Sequence, residues 1–394
     1  SMLFGFSILA LFGVAGIGLD SLRAHRIATR AASALDSAAL AAARAMSEKE
    51  SLTDSEITAI ARSVFAANTQ GFAGQGVTPG LPSVTLDRNT GTVQISSNLS
   101  VSTTLGQVVG VNTLDFQKSA VVSFVMRKVE LAMVLDVTGS MNDGGKLDAM
   151  KDAAADVIDA IVDPNNPNLT RIALVPYSAT VNVGGYRDQA SGGDSTDGCV
   201  MERLSDTYRN TDQAPGHPRN FAVNGQLNSS SNGRYDCPAA SLLPLTNNKT
   251  LLTDTVNGYD ASGATAGHIG LAWGWNAISD KWTGVFSGAN APGPYNNPNV
   301  VKVVLLMTDG EFNTAYTAGT SSADQTAESS ARTVALCDAM KDPAHSIQIY
   351  TVAFQAPPAA ETLLRNCASS TSHYFDANDN AQLKAAFKEI AKRL

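Results

Sequence analysis

A doubly wound α/β domain over about residues 127–394, preceded by a long N-terminal helix and a small α+β module, is what the sequence predicts. Two apolar runs carry the first part of that prediction. LAMVLD at 131–136 and VVKVVLLMTD at 300–309 read as strands buried on both faces, as in a parallel sheet. Strand patterns near 131–135, 171–176, 300–307 and 347–353 alternate with helical ones near 146–162, 266–280, 323–341 and 380–393, the rhythm of a helix-flanked sheet. The last helix, NAQLKAAFKEIAKR, is amphipathic and closes the domain. Size agrees: 394 residues at ~150 per domain give about two to three domains. With 16% charged and 44% hydrophobic residues, a disordered polyelectrolyte is excluded.

The chain opens on an uncharged stretch, MLFGFSILALFGVAGIGL, from Met2 to Leu19. It is just long enough for a spanning helix and too long for a typical signal-peptide core. Asp20, Arg23, Arg26 and Arg30 then begin an amphipathic stretch that turns Ala-rich through Met46. Ala, Leu and Arg favour helix, so one continuous helix is expected across both. The three arginines alone would keep the C-terminal side cytoplasmic, whereas the cysteines weigh toward an exported bulk. Residues 52–67 carry a second helical pattern, with Thr53 or Asp54 as N-cap. Gly and Pro punctuate 68–82, and TVQISSNLSVST and KSAVVSFVM read as strands. The expected divisions are 1–50, a transmembrane and Ala-rich helix; 51–126, the small module; and 127–394, the α/β domain. That domain carries a polar insertion at about 178–262, long enough to be a candidate for partner specificity.

The balance of 28 Lys+Arg against 36 Asp+Glu, with no long basic run, argues against nucleic acid as a partner. The four cysteines, Cys199, Cys237, Cys337 and Cys367, form no CxxC pair, which argues against a zinc ribbon or a thioredoxin-like redox site. Three connectivities are open for two disulfides. Cys199–Cys237 with Cys337–Cys367 is favoured because each closes a local loop.

Chemistry concentrates in DVTGSM, where Asp136 ends a strand and Thr138 and Ser140 follow on a turn. Side chains two apart on such a turn can converge on one point. Carboxylate and hydroxyl oxygens are hard ligands, suited to Mg²⁺, Mn²⁺ or Ca²⁺ and unsuited to copper or structural zinc. Thr265 lies in a Gly-containing loop before a helix, and Asp309 ends another apolar strand with a second carboxylate. In a doubly wound sheet such strand ends assemble the ligand crevice.

These residues resemble the metal-ion-dependent adhesion site of von Willebrand factor type A domains, whose first motif, Asp-x-Ser/Thr-x-Ser, is matched by Asp136, Thr138 and Ser140. The family's later threonine and aspartate correspond to Thr265 and Asp309. The resemblance implies a divalent cation, Mg²⁺ ahead of Ca²⁺ or Mn²⁺, held directly or through water by these five residues, and an acidic group offered by a protein partner. Over the whole chain, the uncharged span, the tract LDSLRAHRIATRAASALDSAALAAARAM, the module and the ending with IYTVAF and LLRNCAS resemble TadG-like proteins of the Tad (Flp) pilus-assembly system. That resemblance implies a non-enzymatic component anchored in the bacterial inner membrane by a pilin-like helix, with a periplasmic or surface-exposed C-terminal domain that meets pilus or pilus-assembly subunits. A surface adhesin using the same ion is the alternative, and a hydrolase the third reading.

Other motifs are absent or incomplete. Lys146 is followed by Leu147 and Ser140 stands where a phosphate loop needs its first Gly; GDSTDG at 193–198 is one residue too long for a nucleophile elbow. His268 is close enough in sequence to Thr265 to approach Ser140, though packing at its helix start is the plainer expectation. Of Trp273 and Trp275, two apart on a helix, one is expected in the core and the other against a neighbour.

Overall fold

The computed structural model describes residues 2–48, 52–88, 91–123, 127–163, 169–224, 226–227, 237–317 and 321–394, with side chains from Ala15 onward except at residue 48. Most of the uncharged stretch Met2–Leu19 therefore lies outside the described side chains. Among the described residues no helix is long and apolar enough to cross a membrane. The chain divides into two compact units, Ser1–Met126 and Arg127–Leu394.

In the first unit, helix α1 (Met2–Glu48) and the sheet share one core. Alanines 34, 38, 39, 42 and 43 of α1 are buried against Ile57, Ala61 and Phe65 of α2 (Asp54–Thr69). Thr53 caps α2: its hydroxyl accepts from the Glu56 amide, and the Glu56 carboxylate accepts the Thr53 amide at 2.7 Å. Strands β1 (Val77–Pro79), β2 (Ser83–Asp87), β3 (Thr92–Ser102) and β4 (Thr113–Ser123) form an antiparallel sheet, with β3 paired to the other three. Alternation along β3 turns Val93 and Ile95 toward the helices. The last residues of the second expected strand, 124–126, lie outside the described residues.

The second unit is a doubly wound α/β domain. Its chain runs β5 (Lys128–Asp136), α3 (Lys146–Ile161), β6 (Thr170–Tyr177), β7 (Val181–Asn182), α4 (Arg187–Ser191), β8 (Cys199–Val200), β9 (Leu243–Thr246), α5 (Lys249–Asn257) and α6 (Gly267–Ile278). It closes with β10 (Val300–Thr308), α7 (Ser322–Lys341), β11 (Gln348–Phe354), α8 (Pro358–Cys367), β12 (Tyr374–Ala377) and α9 (Asn380–Arg393). Sheet order is β12-β11-β10-β5-β6-β9, with β9 alone antiparallel, at the edge. Leu131, Met133 and Leu135 enter one core, with α3, α5 and α9; Ala132 and Val134 enter the other, with α6, α7 and α8. Burial on both faces is why the inner stretches 131–135 and 303–307 read as apolar runs.

The insertion differs from the irregular loop expected. It supplies edge strand β9, helix α5 and a small ribbon of β7 with β8, and it buries Met201, Phe221 and Ala222 in the core beside Trp273. Both tryptophans are buried, at 0% and 1% exposure, because the insertion and the segment after α6 enclose a helix that a bare sheet would leave half open. The Trp273 ring packs on Phe221 and Trp282, while the Trp275 indole N–H donates to the Tyr295 hydroxyl at 2.8 Å. The structure pairs Cys199 with Cys237 and Cys337 with Cys367.

Helix α6 lies close on the sheet because its inner face is glycine. A methyl group at Gly270 would stand 2.5 Å from the Tyr177 ring, and one at Gly274 would meet the Val134 side chain. Alanine at either position gains about 1 kcal/mol of helix propensity, yet forcing a methylene into a packed core costs about 1–3 kcal/mol. Gly274→Ala is therefore expected to lower the urea midpoint of the domain; an unchanged or raised midpoint would show that α6 has room to move.

Candidate metal centre

Sheet order reverses between β5 and β10: the chain leaves β5 toward β6 on one side and reaches β10 on the other. The crevice of a doubly wound sheet opens beyond the C-terminal strand ends at such a reversal. Asp136 is the last residue of β5, and Asp309 directly follows β10. Both are buried, at 0% and 4% exposure.

Asp136 is held from three directions. One carboxylate oxygen accepts the Thr138 amide at 2.9 Å; the other accepts the Thr308 hydroxyl at 2.6 Å and the Tyr177 hydroxyl at 3.4 Å. Burial, followed by the negative charge of Asp309, pushes the Asp136 carboxyl up to about 6. Burial and the facing Asp136 charge also drive the Tyr177 phenol well above its ordinary value, keeping it a donor.

The loop after β5 presents the hydroxyls. Thr138 is buried and its Oγ1 lies 3.0 Å from Ser140 Oγ, which donates to Asp309 Oδ1 at 2.6 Å. Ser140 is the solvent-exposed member, so the cluster opens there. The loop turns into α3 through Gly144 and Gly145, at φ +60° and +70°, a left-handed pair that suits glycine. Lys146, the first residue of α3, places its ammonium 2.8 Å from Asp309 Oδ2.

Thr265 reaches the same edge by its loop. Gly263 accepts the Gly139 amide at 2.9 Å, and Val137 accepts the Ser262 amide at 2.8 Å. The Thr265 amide donates to Asn313 Oδ1 at 3.1 Å, and the Thr265 carbonyl accepts the Asn313 and Thr314 amides at 2.9 and 3.2 Å. The structure thus brings Asp136, Thr138, Ser140 and Asp309 into one cluster and sets Thr265 in the adjoining loop, with no hydrogen bond from its hydroxyl to the other four. Thr308, Tyr177 and Lys146 were missed by sequence reasoning. Thr308 had a usable signal as the neighbour of Asp309, whereas Tyr177 joins through its register opposite Asp136. Lys146 reads in the sequence as a helix start after an incomplete phosphate-loop pattern, with nothing to tie it to Asp309.

The donors fit a hard cation. Hydroxyl and carboxylate oxygens 2.6–3.0 Å apart, from Thr138, Ser140 and Asp309, match the edge of about 2.9 Å that an octahedral Mg²⁺ shell requires. Lys146 supplies the counter-charge to Asp309, and a bound cation would compete with it. Among the described residues one other grouping has ligand-like spacing, Asp197 with Cys199 and Cys237, and its sulfurs are spent on a disulfide. His268 does not approach Ser140. Its Nδ1 lies 2.7 Å from Ser329 Oγ and its Nε2 lies 3.0 Å from Glu202, but Ser329 is fully buried on α7, out of reach of a substrate.

Among solved structures the chain is similar to the pilus adhesin SpaC from Lactobacillus rhamnosus GG in its open conformation, at 12% identity and a TM-score of 0.41, over 81% of this chain and 34% of that one. It is similar to the vWF domain of the type V pili tip protein Mfa5 from Porphyromonas gingivalis, at 13% identity and 0.41, over 68% of this chain and 96% of that one. It is also similar to manganese-loaded TRAP of Plasmodium vivax, at 12% identity and 0.35, over 68% and 75%. The chain spans about a third of the length of SpaC. No protein-family model matches the chain, and no curated protein matches it.

Mg²⁺ or Mn²⁺ at ~100 times its Kd is expected to raise the melting temperature of the second unit by about 5–10 °C, reversibly with EDTA. Asp309→Ala removes the shift. Lys146→Met, which takes away the competing ammonium, tightens the ion by about tenfold in calorimetry; unchanged affinity would place Lys146 outside the site.

Proposed function

We propose that residues 127–394 form a von Willebrand type A domain that recognises a protein partner through a divalent cation, Mg²⁺ before Mn²⁺ or Ca²⁺, without catalysing a reaction. The observation that carries this reading is the contact of the Thr138, Ser140 and Asp309 oxygens at the switch point, open to solvent at Ser140. When bound, a divalent cation would supply a position for an acidic group of the partner. The chain's own part is to fix the oxygens. Thr308 and Tyr177 hold Asp136, Ser140 meets Asp309, and Lys146 shields Asp309 until it is displaced.

The larger setting we propose is that of a TadG-like protein. Helix α1 anchors the chain in the bacterial inner membrane, the disulfide-bearing domain lies outside the cytoplasm, and its partners are pilus or pilus-assembly subunits. The uncharged Met2–Leu19, the Ala-rich tract behind it and the two disulfides support this setting. A surface adhesin would use the same ion, and deletion of the gene separates the two: loss of pili supports assembly, intact pili with lost attachment supports adhesion. Capture of partners from the native envelope should fail in EDTA and weaken by about 100-fold or more with Asp136→Ala, ~2.8 kcal/mol at 1.4 kcal/mol per decade. Capture that is indifferent to both would overturn the metal-bridged reading.

A further inference from the structure

The hairpin loop joining β3 to β4 carries a cluster of exposed apolar side chains that the sheet does not need. Thr103–Asn112 contains no charged residue, and within it Leu105, Val108, Val109 and Val111 are exposed, Val108 by 75%. The loop is tied to α1 just where the uncharged stretch ends. Asp20 accepts the backbone amides of Thr104, Leu105 and Gly106 at 2.8–3.1 Å, and Arg23 donates to the Thr104 hydroxyl at 3.2 Å and to the Gln75 carbonyl. One turn earlier, Gly16 leaves room for Leu105: a methyl group there would stand 2.6 Å from the Leu105 Cβ. On the flanks of this contact Leu19 and Leu22 are exposed by 60% and 63%.

We propose that this apolar tip enters the headgroup–acyl boundary of a lipid bilayer beside α1, giving the first unit a second point of membrane contact. The inference rests on the reading of α1 as a membrane anchor. Three features favour lipid over a second protein chain. On the helix, exposed Leu19 ends the uncharged Met2–Leu19 and exposed Leu22 follows it within one turn. The loop itself is free of charge. Behind it His25, Arg26 and Arg30 are exposed, the arginines where anionic headgroups would lie. The Asp20 carboxylate, already satisfied by three amides, fixes the tip against the helix so that loop and anchor meet the bilayer together.

The test uses the full chain in phosphatidylcholine–phosphatidylglycerol vesicles. All four native cysteines are paired, so Val108→Cys takes a thiol-reactive environment-sensitive dye selectively. Thr85→Cys, exposed on β2 opposite Gln94, lies about 26 Å from the loop end of β3 at ~3.3 Å per residue and serves as the reference. The expected result is a blue-shifted emission at position 108, quenched at least fivefold more than at 85 by a quencher on the upper acyl chain. Chain that fails to float with the vesicles overturns the anchor and this inference together. Chain that floats with an unshifted, unquenched dye at 108 overturns this inference alone. A blue shift that disappears on dilution of protein in lipid assigns the tip to a second copy and likewise overturns it.

Discussion

A carboxylate at the buried end of a central strand has to be met by donors or by a cation, and the upper edge of the second unit is organised around that constraint. Asp136 lies at the end of β5, where water cannot solvate it. Its environment raises its affinity for a proton to about pH 6, through burial first and the charge of Asp309 second. A pair of buried acids at one strand-end crevice is costly on its own, because desolvation and mutual repulsion act in the same direction. The surroundings answer with Thr308, Tyr177, the Thr138 amide and the Lys146 ammonium. The Thr138 and Ser140 hydroxyls complete the cluster, which meets solvent at Ser140.

The same constraint ties the site to the packing below it. Tyr177 hydrogen-bonds both Asp136 and the Met307 carbonyl, and its ring fills the space that Gly270 leaves on α6. Gly267 gives similar clearance to Phe312, whose ring stands edge-on to Tyr177. The glycine face of α6 thus brings the helix after the Thr265 loop down onto the strand ends. The insertion completes the arrangement from outside: Phe221 and Met201 cover the far face of α6, and Glu202 reaches both His268 and the Tyr316 amide. The buried Ser329–His268–Glu202 chain has the hydrogen bonds of a hydrolase and none of its access, and it joins α7, α6 and the insertion instead.

Much of this was legible in the sequence, for identifiable reasons. The four principal strands of the second unit are apolar along most of their inner length because both sheet faces are covered, and α3, α6, α7 and α9 fall within two residues of their sequence-derived limits. Asp136, Thr138, Ser140 and Asp309 could be read because a strand end followed by a tight turn constrains where short polar side chains go. Strands β9 and β12 were not legible: LPLT and YFDA are four-residue edge segments, with two leucines in one and three apolar residues in the other, too short to show a strand pattern. Helix α5 was hidden inside a polar stretch, and the burial of both tryptophans depends on chain far away in sequence. Lys146 was visible as a residue and invisible as a partner of Asp309, since that ion pair spans 163 positions. Asp20 likewise looked like the end of a span, whereas its role in binding the amides of a loop more than eighty residues away is a property of the fold.

The most direct measurement is anomalous diffraction at the manganese edge from crystals of the second unit grown with Mn²⁺. A single strong peak within about 2.2 Å of the Thr138 and Ser140 hydroxyls and beside Asp309, with the Lys146 ammonium turned away, is expected. An empty crevice with Lys146 still on Asp309, at a manganese concentration that saturates binding in solution, would contradict it.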